Sequence, residues 1–246
     1  YDLQGRLMLE KIKAFFRRSE DRKKYAGEFV AGMDLQLQGF LRIGALISAV
    51  AWLEFGLKTD GLLHPEFPEL RYFRFGLTAL GVLIFLASFV KPFMPFAANS
   101  LKFLVFYITL SCSFFTGRIA DDPNYVSGLQ IVIMIPIAAP IRYRLFMVLM
   151  AISAATFLTS VLIYNPPLTT PSTRYSMNNL VISYVIAIAF SYIMDRVRFD
   201  SFMKTKKIEI KNTEIEAQIK RINELKTQQD GDYFLTSQLL HPLALN

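Results

Sequence analysis

The chain has 246 residues, 53% of them hydrophobic, with 22 Phe, a mean hydropathy of +0.34 and a net charge of +7. Its apolar residues come in long runs, which marks a membrane protein rather than a soluble domain with a large core. No aromatic-interleaved basic patch accompanies the positive charge, which argues against nucleic acid as a partner, and the single cysteine, Cys112, excludes an internal disulfide and a cysteine zinc cluster.

The chain begins at Tyr1 rather than Met, as expected for a portion of a longer protein. Its charged opening residues do not form a cleavable signal peptide. Over residues 3–29, Leu9, Ile12, Phe15 and Phe16 recur at helical spacing, flanked by Lys11, Lys13, Arg17 and Arg18. This fits an amphipathic helix on the inner leaflet, or equally a solvated helix packed on the bundle or on a partner chain. Residues 1–38 are assigned to this cytoplasmic segment.

A membrane span needs about 20 mainly apolar residues, and a short or tilted one about 17. Six stretches meet or approach this: 39–57, 73–90, 101–116, 126–141, 145–164 and 179–194. The third and fourth are short, and Pro136 and Pro140 interrupt the fourth. The expected fold is all-α, a six-helix transmembrane bundle over 39–194 with antiparallel sequential neighbours. Small residues at i,i+4, Gly44 with Ser48 and Ala151 with Ala155, permit close helix approach.

Lys and Arg set the orientation. With the N-terminus inside, thirteen cationic residues near the membrane fall on the cytoplasmic side, among them Arg22, Lys24, Lys91, Arg142 and Arg196. Five, Lys58, Arg71, Arg74, Arg118 and Arg174, fall outside. The expected placement is a multi-pass protein of the inner (cytoplasmic) membrane with both termini in the cytoplasm.

Within the spans, Glu54 stands near the outer end of the first, two residues after Trp52. An ionisable residue there suggests an outward-facing pocket for a small polar ligand, with Arg118 or Arg74 as partner. It equally fits an interfacial carboxylate at the depth of an aromatic anchor. The third span carries Thr109, Ser111, Cys112, Ser113 and Thr116, and the fourth Gln130. These polar groups serve either interhelical packing or a ligand pocket. The candidate pocket is therefore Glu54, Trp52, Arg118, Ser111, Ser113 and Gln130. His64, beside Pro65, reads as a loop residue, and two distant histidines make no metal site.

After the last span, residues 195–229 are charged and free of Pro and Gly, as one continuing helix requires. Ile208, Ile215 and Ile222 recur every seventh residue. Placed at d, they put Thr205, Asn212, Ile219 and Lys226 at a. This seam suits a parallel coiled-coil stalk in a homodimer, with Asn212 fixing register, although only one of the four a residues is apolar. A solvated, charge-laced single helix is the other reading. His241 precedes Pro242, which biases it away from helix and against a phosphoacceptor role.

Residues 228–243 read QQDGDYFLTSQLLHPL. This string resembles the segment between a coiled-coil linker and the catalytic domain in spirochaete members of the stage II sporulation protein E family, the protein phosphatase 2C-like Ser/Thr phosphatases. The resemblance implies a membrane sensor, a stalk, and then a manganese- or magnesium-dependent catalytic domain in which carboxylates hold a two-metal centre. The family's metal-ligand motifs lie downstream of the linker, and none is expected within this sequence. Residues 230–246 are assigned to the linker, so Asp230 and Asp232 are read as linker residues around a helix stop at Gly231. No catalytic or metal-binding residue and no cofactor is assigned to the chain itself. The function expected is a sensor and dimerisation module regulating a cytoplasmic Ser/Thr phosphatase domain. The alternatives are a six-span anchor of a nucleotide cyclase and a small transporter or channel.

Overall fold

The computed structural model describes the backbone of residues 20–240, and the side chains of those residues other than 231 and 233–240. The basic and apolar faces expected around Leu9 to Arg18, and His241, lie outside the described residues. Within them the chain is helical and has no strand. The order is α1 (Ala26–Glu54), a π-helical stretch (Phe55–Thr59), α2 (Asp60–Leu63), α3 (Pro68–Ala87), a 3-10 stretch (Lys91–Phe96), α4 (Ala97–Arg118), α5 (Pro123–Ala138), α6 (Tyr143–Tyr164) and α7 (Pro171–Leu240). The chain divides into two compact units at Arg196 and Val197, and α7 contributes residues to both.

In the first unit, α1 packs on α3 and α4, and α4 packs on α5 and α6. The helices bury one stripe each and expose many large apolar side chains outside it. In α1, Phe29, Met33, Leu37, Leu41, Ala45 and Ala49 follow one another every four residues and are buried. Leu35, Ile43, Ile47 and Val50, between them, are exposed. A soluble protein would carry polar residues there, whereas hydrocarbon around the bundle accepts them. Among the described residues, five helical stretches are long and apolar enough to cross a membrane: Ala26–Leu63, Pro68–Ala87, Lys91–Arg118, Tyr143–Tyr164 and the helix from Pro171. Pro123–Ala138 is apolar but only 16 residues long.

Local chemistry sets the boundaries. Pro123 opens α5 at a position whose N–H needs no partner, and the Asp122 side chain caps it by accepting from Asn124 N at 2.8 Å. The helix ends at Ala138, earlier than the expected 141, because Ala139 precedes Pro140 and is extended. Asn165, at φ 45°, closes α6 in the left-handed conformation. Gly117 sits where a Cβ would lie 2.6 Å from the Phe157 carbonyl oxygen, so its missing side chain lets α4 and α6 touch.

Two expected boundaries move. α1 starts at Ala26, well before residue 39 and just after a helical stretch at 20–24, and the chain continues as helix through Leu63. The last helix does not stop near Gly231 but runs to Leu240. A helix tolerates one internal glycine at about 1 kcal/mol relative to alanine.

The second unit begins at Val197. There Ile208, Asn212, Ile215, Ile219 and Ile222 are all exposed on α7, and Lys206 pairs with Glu209 at 3.0 Å.

Candidate functional site

The densest buried polar cluster lies where α1 meets α2 and α3. The π-helical turn at 55–59 adds a residue to one turn and so shifts every later side chain around the helix by about 100°. Asp60, the first residue of α2, is 1% exposed. Arg74, near the middle of α3 and 7% exposed, donates from Nε to Asp60 Oδ2 at 3.2 Å. Tyr125, in the first turn of α5, donates its hydroxyl to the other carboxylate oxygen, Oδ1. Gly56 lets α3 come this close, since a Cβ there would lie 3.0 Å from Arg74 Cβ.

The Arg74 guanidinium is further enclosed. It lies 4.5 Å from the Trp52 ring and 5.5 Å from the Phe55 ring, and Nη1 faces Cys112 Sγ at 3.8 Å. Cation–π contact of this kind strengthens as water is removed. A buried cation needs such partners, because the loss of hydration costs several kcal/mol per ion.

Beside this cluster, His64 joins two connections. Its Nδ1 lies 2.9 Å from Glu66 Oε1, and its Nε2 lies 2.9 Å from Asp122 Oδ2. Both partners are acceptors, so the charged imidazole, with two N–H donors, satisfies both. Burial alone would lower its pKa. The hydrogen bonds to Glu66 and Asp122 outweigh that and raise it above the ordinary 6.5. Glu66 is held below its ordinary 4.5, first by its own backbone N–H and then by His64. The His64 ring meets Tyr125 edge-on at 4.9 Å. A chain of contacts therefore leads from Arg74 through Asp60 and Tyr125 to His64 and the α4–α5 connection. Among the described residues no group of three or more His, Cys, Asp or Glu is placed to hold a metal ion.

A cavity of about 280 Å³ adjoins this cluster, lined by residues that include Trp52, Phe55, Arg74 and Tyr125. Of the six candidates read from sequence, Trp52 is in its wall. Glu54 points away, with its side chain 58% exposed, and pairs with Lys58 at 3.7 Å rather than with Arg118 or Arg74. The turn past Trp52 places it on the other face of the helix. Arg118 approaches Glu69 at 3.9 Å and lies over Phe67 and Tyr164. Ser111 donates to the Tyr107 carbonyl of its own helix at 2.6 Å. Ser113 is buried and bonds to Ser153 at 2.6 Å, and Ser153 in turn to Tyr184 at 2.8 Å, which ties α4, α6 and α7 together. Gln130 reaches the Ser176 carbonyl at 3.4 Å.

Sequence reading missed Asp60 and Tyr125, and it placed His64 in a loop, where it lies, without its two carboxylate partners. The available signal was that Asp60 and Arg74 flank a short connection between two apolar helices, within reach of each other if both turn inward. The direction of turning depends on the π-helical stretch, which no residue pattern announces.

At the far end of the first unit a second polar set occurs. Arg22 pairs with the buried Asp195, Lys102 bonds to Asp34 at 2.6 Å, and Arg42 donates to the Ser88 carbonyl at 3.2 Å. Comparison of the chain with family models, with curated proteins and with solved structures gave no match.

Proposed function

We propose that the chain is the membrane sensor and dimerisation module of a receptor whose output is a cytoplasmic, manganese- or magnesium-dependent Ser/Thr protein phosphatase domain. In this reading the first unit is a six-span bundle of the inner membrane, with α5 as its short span and both termini in the cytoplasm. The Asp60–Arg74–Tyr125 cluster then faces the outer leaflet. The charge bias of the connections supports that orientation.

The observation that carries the reading is α7, one helix of 70 residues that is apolar to Met194 and charged after it. A helix common to an apolar bundle and a charged segment is a two-state element that a ligand can bias by rotation or register shift. The exposed isoleucines at 208, 215 and 222 supply the dimer seam. The string at 228–243 supplies the phosphatase output by its resemblance.

Cysteines introduced singly at 208, 215 and 222 of the full chain in lipid bilayers test the dimer, because the native Cys112 is buried. Disulfide-linked dimers at all three positions are expected, with yields that change when Arg74 is replaced by Gln. A monomer by mass at every concentration overturns the dimer reading, and yields unmoved by Arg74→Gln overturn the sensor reading. Metal-dependent dephosphorylation of a phosphoserine peptide by the full-length protein checks the output. Cyclisation of a nucleotide instead would assign the anchor of a cyclase, and flux into liposomes without the stalk would assign a transporter.

A further inference from the structure

The cavity beside Arg74 holds about 280 Å³, roughly the share of nine waters in the liquid and near the lower bound of small-molecule pockets. Its walls are mainly apolar, and several of the wall residues, Phe55, Asn124 and Gly128 among them, also form outer surface of the bundle. Ile131 is 67% exposed, Ile135 52% and Leu63 49%. With the bundle in a bilayer, that surface meets lipid tails, so the cavity opens toward hydrocarbon rather than toward water alone. A void of this size left empty would deprive its lining of dispersion contacts.

Charge decides what fits. Arg74 is matched by Asp60 at 3.2 Å, so the polar end of the cavity is neutral as a whole. An anion would add an uncompensated negative charge beside the buried Arg74–Asp60 pair. A cation would meet the guanidinium directly. Arg74 nevertheless retains donor capacity, since the bonds to Asp60 and Cys112 use two of its five N–H groups, and sulfur is a weak acceptor. The rings of Trp52, Phe55 and Tyr125 offer aromatic faces and edges at the same end.

We infer that this cavity binds an uncharged, membrane-partitioning aromatic molecule carrying a hydrogen-bond acceptor, with Arg74 donating to the acceptor and the ring lying among Trp52, Phe55 and Tyr125. The inference deepens the sensor reading by naming the ligand class, and it rests on the bundle lying in a bilayer as proposed.

Trp52 is the chain's single tryptophan and lines the cavity, so its fluorescence reports occupancy directly. Gly128 also lines it, and a Cβ there meets nothing within 4 Å, so Gly128→Leu adds bulk at the cavity wall with no clash at its Cβ. The full chain in nanodiscs is titrated with methyl para-bromobenzoate, whose bromine quenches tryptophan on contact. The same is done with the anion para-bromobenzoate and the cation para-bromobenzylammonium. Saturable quenching by the ester alone is expected, with its half-saturation raised about tenfold in Gly128→Leu at unchanged helix content.

Quenching that rises linearly and equally in both proteins is bilayer partition only and overturns the site. Saturation by either ion at the ester's concentration overturns the charge argument. Saturable quenching from phospholipid brominated on its acyl chain, relieved by Gly128→Leu, assigns the cavity to a lipid tail and overturns the ligand class. The titration does not read the stalk, so ester binding without any change in stalk crosslinking would sink the sensor reading and leave the site standing.

Discussion

Arg74 of α3 donates to Asp60 of α2 at 3.2 Å, and neither side chain is more than a tenth exposed. The pair sits among Trp52, Phe55 and Tyr125, where a lone charge has no water to turn to. Asp60→Asn removes the compensating charge and leaves the guanidinium buried, which is expected to destabilise the fold by about 3–5 kcal/mol. Replacing both partners with apolar residues, Asp60→Leu with Arg74→Met, is expected to recover most of that loss. Thermal unfolding of the wild type, Asp60→Asn, Asp60→Leu, Arg74→Met and the double variant in one detergent decides it. Single and double variants that simply add would mean the pair is not coupled.

His64 gives the protein a pH dependence of known sign. Its pKa is raised in the fold, so its contribution is complete below the ordinary 6.5 and is lost as pH climbs through the raised value. The unfolding temperature is expected to fall over that window, by about 2–4 °C for each kcal/mol lost. His64→Gln should abolish the step, because an amide keeps a donor but does not titrate. Glu66 acts in the opposite sense at lower pH, its contribution being present above 4.5 and lost as pH falls through its lowered value. A step of unchanged size in His64→Gln would place its origin elsewhere.

Two glycines separate close packing from open space. At Gly117 an added Cβ would lie 2.6 Å from the Phe157 carbonyl oxygen and 2.7 Å from Ser160 Cβ. Gly117→Ala must therefore push α4 from α6, at a cost of about 1–3 kcal/mol. Gly128→Ala meets no atom within 4 Å and is expected to be neutral, or stabilising by up to about 1 kcal/mol through helix propensity. Equal behaviour of the two variants in unfolding would contradict the α4–α6 contact.

The hydroxyl chain Ser113–Ser153–Tyr184, with both serines buried and Tyr184 partly buried, bridges three helices. Hydrogen bonds between membrane helices contribute about 0.6–2 kcal/mol. Tyr184→Phe is expected to cost that amount, and Ser153→Ala somewhat more, since it removes the middle of the chain. A double-mutant cycle between these two positions measures the shared bond. Zero coupling would show that each hydroxyl finds its partner in its own helix.

The sequence alone determined that the protein is helical and that its helices are apolar over spanning lengths, because these are properties of composition and run length. It also placed the stop at Pro140, where the ring restricts the residue before it, although Pro136, expected to interrupt the same stretch, lies inside α5. It marked Trp52, which lines the cavity. What it did not determine was direction around the helix axis. Over residues 43–53 apolar residues surround α1 on every side, so periodicity there carries little information about which face is inward. A single wide turn at 55–59 then re-aimed all that follows, bringing Asp60 inward against Arg74 and Tyr125 while Glu54 stayed outside with Lys58. Those partners come from three helices, and Tyr125 lies 65 residues from Asp60 in sequence. Only their packing could show that the carboxylate near the end of the first long helix that matters to the cavity is Asp60 and not Glu54.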